Sequence, residues 1–201
     1  MKAFKLETQN SDISSRITSS LELISQVFRV NLWEIQKEYK VSPIQTQILI
    51  FLKFHDEKLC TVTELAKEFH LTKATVSDSI KTLVKKDFVE KVSDPEDSRK
   101  AFLSLTKTGK HLTENFDSYA KELHQAISTI ADENKAIIYE NLLSIISQLQ
   151  NANIINERRM CISCHYYQEI DEESYRCNLM EKDLSRTELR LDCSEFESKH
   201  I

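Results

Sequence analysis

One glycine and two prolines in 201 residues (Gly109, Pro43 and Pro95) limit what this chain can fold into more than any other feature. Glycine is the usual residue wherever backbone must turn left-handed, and proline is the usual helix stop. A chain that almost lacks both is expected to be mostly helical, with short loops. The same scarcity argues against Gly-rich phosphate loops and dinucleotide fingerprints, which need glycine for close backbone approach. Nucleotide-dependent enzymes of those kinds are therefore not expected. Hydrophobic residues at 40% and charged residues at 29% suit a globular chain with a core, or a core with a small appendage. No apolar run is long enough to cross a bilayer, and "MKAFKLETQNSDISS" has no apolar h-region. A cytoplasmic setting follows as an expectation, and there cysteines hold metals more readily than they form disulfides.

Apolar periodicity divides the chain. Ile13, Ile17, Leu21, Ile24, Phe28, Leu32, Ile35 and Tyr39 fall at three- and four-residue steps and predict one long amphipathic helix. "VSPIQTQILIFLKF" predicts a second, with Ser42 as N-cap and Pro43 at the first helical position. "TVTELAKEFHL", capped by Thr63 or Thr61, predicts a short third. "LTKATVSDSIKTLVKKDF" predicts a fourth, capped by Thr72, with Leu71 and Val76 as a staple and Val76, Ile80, Leu83 and Val84 as the buried stripe. The period then changes to two short strands, "FVEKVS" and "AFLSLT", joined by the turn "DPEDSRK". Helical period returns over "KTGKHLTENFDSYAKELHQAIS" and over "ADENKAIIYENLLSIISQLQNANI", where Ile138, Leu142, Ile145 and Leu149 form a seam. The expected fold is mainly α with a small β-wing: a winged helix–turn–helix, a helical dimerisation region and a small cysteine-ligated metal appendage. The expected divisions are 1–40 (N-terminal dimerisation helix), 41–110 (winged helix), 111–155 (C-terminal dimerisation helices) and 156–201 (four-cysteine appendage).

Two short helices followed by a ribbon with a charged tip suit DNA reading. The second helix of such a motif lies in the major groove with polar side chains towards base edges. Here Thr72, Lys73, Thr75, Ser77, Asp78 and Lys81 are the candidates on that helix, and Arg99 and Lys100 at the wing can reach the backbone or minor groove. The net charge of −5 is unevenly distributed. Residues 61–110 carry ten Lys/Arg against eight Asp/Glu, whereas 156–201 carry seven against eleven. "TVTELAKEFHLTKATVSDSIKTLVKKDFVEKVSDPEDSRKAFLSLTKTG" resembles the MarR-type regulators of bacteria, above all in Asp97-x-Arg99 followed by "LSLTKTG". The resemblance spans roughly residues 15–150. It implies a homodimer held by its first and last helices, a pseudo-palindromic double-stranded DNA operator, and usually repression. It also implies a wing arginine at Arg99 oriented by Asp97. Two positions depart from the family pattern. Asp78 stands where arginine is common, and an acid there repels phosphate unless a basic neighbour takes it up. Asp87 replaces the usual glycine after the helix, so a left-handed aspartate is expected there.

Four cysteines, Cys161-x2-Cys164-x12-Cys177-x15-Cys193, close the chain. Cys161-x-x-Cys164-His165 has the spacing of covalent haem attachment, of half a zinc site, and of the start of some iron–sulfur ligand sets. The cytoplasmic setting removes most of the haem reading. So small and polar a segment needs a staple, and four thiolates can bind Zn2+ or an iron–sulfur cluster. Four-cysteine zinc sites usually form two close pairs, whereas here one pair precedes two single cysteines. With Tyr166, Tyr167, "RCNL" and "DCSEFE", the segment resembles high-potential iron–sulfur proteins and is similar to the small subunits of some glycyl-radical decarboxylases. That implies a [4Fe-4S] cluster; Zn2+ is the alternative. His165 and His200 read as surface residues, and Cys60 as a small buried hydrophobe rather than a thiol sensor. No catalytic constellation stands out, and no enzyme is expected. Two functions compete: a dimeric regulator whose metal site stabilises the dimer or senses redox or iron status, and a metal-stapled adaptor or iron–sulfur accessory protein that reads no DNA. The identity of any small-molecule effector is not legible.

Overall fold

The computed structural model describes residues 4–93, 101–171 and 174–199. The chain divides into two compact units. One comprises residues 1–57 and 78–125, the other residues 58–77 and 126–201. Among the described residues no helix is long and apolar enough to cross a membrane.

The first unit begins with α1 (Leu6–Ser11), α2 (Ile13–Tyr39) and α3 (Pro43–Phe54). Asp12 caps α2 by accepting from the Ser15 N–H at 2.9 Å, and Ser42 and Gln45 form a reciprocal capping box on α3 ahead of Pro43. Helix α5 (Lys73–Lys85) leads into the antiparallel hairpin of β1 (Val89–Ser93) and β2 (Ala101–Leu105), paired from Val89↔Leu105 to Ser93↔Ala101. Then follow α6 (Lys107–Glu114), a 3₁₀ stretch (Asn115–Ala120) and α7 (Lys121–Ser128). Helix α3 packs on β2 and α6, and the core contains Ile48, Leu49, Phe51, Leu83, Val89, Leu103, Leu105 and Leu112.

Helix ends explain how so little glycine suffices. Lys40, His70, Asp87 and Asn153, at the ends of α2, α4 (Val62–Glu68), α5 and α8 (Asp132–Asn151), all take positive φ between 54° and 59°. At the end of α5 the Asp87 N–H donates to the Val84 carbonyl and the Phe88 N–H to the Leu83 carbonyl, the paired bonds of a Schellman cap. Asp87 thus adopts the left-handed turn expected of it. Thr106 Oγ1 donates to its carbonyl at 2.5 Å, and Thr108 Oγ1 to its carboxylate at 2.9 Å. Gly109 is required for a different reason: a Cβ there would lie 2.0 Å from the Phe88 carbonyl oxygen.

The second unit holds α4 (Val62–Glu68), the start of α5, and α8 (Asp132–Asn151). Three short strands follow, β3 (Tyr167–Glu169), β4 (Tyr175–Cys177) and β5 (Lys182–Leu184), in one antiparallel sheet ordered β3-β4-β5. Its core is Leu143, Met160, Tyr175, Leu184 and Leu189, with Tyr139 and Ile146 against it. The Tyr139 hydroxyl donates to the Leu189 carbonyl at 2.8 Å, and Glu140 receives the Tyr175 hydroxyl and pairs with Arg186 at 2.9 Å.

Two expectations need correction, and one segment has elements that the sequence did not show. Val84 does not join the buried stripe of α5 but is 41% exposed; Val76, Ser79, Ile80 and Leu83 alone face inwards. The helical period expected over 107–128 is interrupted at 115–120, where the Tyr119 carbonyl is taken by the Asn31 side-chain amide at 2.9 Å and Phe28 packs on Tyr119. A tertiary bond there replaces part of the helical ladder. The segment without evident periodicity, 156–201, contains a sheet whose three-residue strands are too short for alternation to register.

Candidate nucleic-acid interface and four-cysteine site

Thr72 opens α5: its hydroxyl accepts from the Thr75 N–H at 3.1 Å and shares a hydrogen bond with Thr75 Oγ1 at 2.9 Å. The two hydroxyls therefore sit together at the helix start. Lys73, Thr75, Asp78 and Lys81 are exposed, whereas Ser77 is half-buried beside Val76. Polar residues thus cover one side of α5 and the aliphatic stripe the other, which is what a groove-reading helix requires. Asp78 has a basic neighbour. Lys81 Nζ reaches its carboxylate at 2.9 Å, which offsets the acid where family members commonly carry arginine. The wing strands present Val89, Leu103 and Leu105 inwards. Pro95, Asp97, Arg99 and Lys100 lie outside the described residues. A cleft of about 700 Å³, lined by Trp33, Lys37, Lys40, Val41, Ser42 and Thr82, has the size of a small-molecule site.

Cys161, Cys164, Cys177 and Cys193 line one cavity, joined by Tyr166, Tyr167, Leu179, Met180 and Arg190. Three different pieces of backbone deliver them. Cys161 starts the 3₁₀ turn Cys161–Ser163, and the Cys164 N–H returns to the Cys161 carbonyl at 2.9 Å, forming a knuckle without glycine. Cys177 ends β4, and the Cys193 N–H donates to the Arg159 carbonyl at 2.9 Å. Arg190 frames the sulfurs: its N–H donates to Cys161 Sγ at 3.1 Å and its Nη1 to Cys193 Sγ at 3.5 Å. Burial pushes the Cys161 thiol above its usual range and the three neighbouring thiols add to that, while the Arg190 N–H opposes it. Ligation by a cation would reverse the balance, since it favours thiolate. Among the described residues, no three His, Cys, Asp or Glu side chains are drawn tightly enough to grip one ion. His165 is exposed and its ring packs edge-on against Tyr166; Cys60 is 2% exposed and does not line the cavity. The contacts of Arg190 had no sequence signal beyond its place three residues before Cys193.

Residues 39–100, a range that begins at the end of α2 and includes β1, match the profile of the MarR family. That stretch of the chain is similar to the winged helix–turn–helix of MarR-family regulators. It is similar to two regulators of Bacillus subtilis (strain 168) over most of their length. The HTH-type transcriptional repressor YetL is 26% identical over 154 residues, 73% of this chain and 92% of that one. The uncharacterized HTH-type transcriptional regulator YsmB is 26% identical over 135 residues, 67% of this chain and 91% of that one. Among solved structures, S. aureus MepR in its DNA-binding conformation superposes with a TM-score of 0.59 at 25% identity, over 67% of this chain and 98% of that one. The S. aureus MepR–DNA complex gives 0.56, over 66% and 97%. The MarR family, whose profile residues 39–100 match, consists of non-enzymatic DNA-binding regulators.

Proposed function

We propose that the chain is a homodimeric transcription regulator, most simply a repressor, that reads a pseudo-palindromic double-stranded DNA operator. The observation that carries this reading is α5: a polar, exposed face opposite an aliphatic stripe, within the segment that matches the MarR family. In this reading Thr72, Lys73, Thr75, Ser77, Asp78 and Lys81 meet the major groove, with Asp78 acting through Lys81 or accepting from a cytosine amine. Arg99 and Lys100 contact the backbone or minor groove. The likeness to MepR, whose complex with DNA is among the matched structures, supports the same assignment. Two unpartnered apolar faces suit a dimer: Ile13, Ile17, Leu21 and Ile24 on α2, and Ile138, Ile145 and Leu149 on α8, all exposed in a single chain. A small-molecule effector would suit the cleft beside Trp33.

The four cysteines hold a metal centre in this proposal, with a [4Fe-4S] cluster ahead of Zn2+. A cluster binds its thiolates through separate irons, and four thiols lining one cavity suit that arrangement. Arg190 would supply N–H···S bonds of the kind that tune such clusters.

Binding to operator fragments across a salt series tests the first part. Affinity is expected to fall steeply with salt, with a slope set by the phosphates neutralised. Arg99→Ala is expected to weaken all duplexes alike, and Lys73→Ala or Thr75→Ala to change the preference among them. A flat salt response with no duplex preference leaves the adaptor reading in its place. Anaerobic purification followed by iron, sulfide and zinc analysis tests the second: brown protein with acid-labile sulfide means cluster, and one zinc per colourless chain means a zinc staple.

A further inference from the structure

Three residues on the way from α8 to Cys161 are bonded to the end of α4. The Asn156 side-chain amide donates to the Lys67 carbonyl at 2.5 Å, and its oxygen lies 3.0 Å from His70 Nδ1. Arg158 pairs with Glu68 through Oε1, and Arg159 Nη2 donates to Glu68 Oε2 at 3.2 Å. Lys67 and Glu68 close α4, and His70 is the left-handed residue that turns the chain towards α5. The Glu68 side chain is only 16% exposed, so its two arginines serve a carboxylate largely removed from water.

Arg159 also reaches the cysteine site. Its guanidinium forks Asp192, at 2.7 Å through Nε and 2.9 Å through Nη2, and its carbonyl accepts the Cys193 N–H. One side chain therefore bridges Asp192, the neighbour of a cysteine, and Glu68, in the last turn before the helix–turn–helix bend. All of these residues, together with Lys73 and Thr75, belong to the same compact unit.

We infer that Arg159 and Glu68 couple occupancy of the four-cysteine site to the helix–turn–helix. The inference rests on the metal centre and DNA reading proposed above, and names how the first regulates the second. A filled site holds Cys193 and Asp192; these hold Arg159; Arg159 holds the end of α4 and with it the turn into Lys73 and Thr75. Emptying the site frees the stretch around Cys193, whose nearest buried anchor in sequence is Leu189. Asp192 then leaves the guanidinium, Arg159 loses its fixed orientation, and Glu68 keeps a poorer set of partners in a poorly hydrated place. The helix end loosens, and the reading helix loses its fixed start. The device is a two-state element biased by both sites, which is what coupling between them requires.

Amide hydrogen exchange on the full chain, metal-loaded and then stripped with ferricyanide and EDTA, tests this. In the wild type, residues 62–77 are expected to exchange on the order of 10-fold faster after stripping, while α3 is unchanged. Glu68→Gln should retain its metal, by iron, sulfide and zinc content, yet exchange at the stripped rate over 62–77 while loaded. Asp192→Asn, which cuts the bridge at its other end, should do the same. Operator affinity should follow, with a loaded-to-stripped ratio on the order of 10 in the wild type collapsing towards one in both variants. Equal exchange over 62–77 in the loaded and stripped wild type overturns the coupling, as do variants that keep the wild-type response. An intact exchange response in a protein that binds no DNA supports the coupling and removes the DNA reading. A chain that never holds metal, by elemental analysis, removes the coupling and the metal centre together.

Discussion

In the unit that carries the wing, Ile48, Leu49 and Leu83 are fully shielded from solvent and Val89 and Ile80 are 1% exposed. The cysteine-bearing strands are three residues each and share a core of five side chains with α8. The first region has enough aliphatic surface to order itself. The second relies on part-buried tyrosine hydroxyl bonds, ion pairs such as Glu140–Arg186, and four thiols around one cavity. A core built from helical stripes announces itself as periodicity, whereas a segment of three-residue strands announces itself only by its cysteine spacing.

The most severe test of that contrast is Cys177→Ser. Metal retention is expected to be lost altogether and the segment 156–199 to become protease-sensitive, while the unfolding transition of the wing-bearing unit stays in place; full metal stoichiometry in the variant removes Cys177 as a ligand. Leu143→Ala, beneath the cysteine-bearing strands, should destabilise that unit by about 4 kcal/mol in denaturant titration. An effect below about 1 kcal/mol would mean that the apolar core is not what holds the segment. Gly109→Ala should destabilise the wing-bearing unit by about 3 kcal/mol with metal content unchanged, because its Cβ meets the Phe88 backbone rather than a movable side chain. Ser42→Ala, which removes half of the α3 capping box, should cost about 1 kcal/mol in the same titration and leave metal and operator preference untouched.

Legibility follows the same line. The bounds of α2 and α3, the Ser42 cap and both wing strands could be read in advance, because each is fixed by neighbours within a few residues; of the two caps offered for α4, Thr63 and Thr61, the structure uses Thr61. The break at 115–120 was not legible: the competitor for the Tyr119 carbonyl is Asn31, far away in sequence. Helix α8 reads as one seam, yet Leu143 and Tyr139, on a different face, meet the cysteine segment, while Ile138, Ile145 and Leu149 remain exposed. Periodicity reports that a face is apolar and not what covers it. At the site, the four cysteines stood out by spacing. Arg190, Arg159 and Glu68 did not, because a charged residue gains meaning only from the partner that folding brings to it.

The amino-acid sequence by itself determined the helical character, the order of helices and wing, the left-handed aspartate at 87 and the four thiols as a set. All of these depend on local backbone preference or on residue chemistry that survives in any fold. Tertiary structure alone decided which apolar faces are covered, where the second long helical stretch breaks, and that the approach to Cys161 is bonded to the end of α4. Those outcomes depend on desolvating specific groups against distant partners, and the strength of a carboxylate–guanidinium pair is set by the water removed around it rather than by its place in the chain.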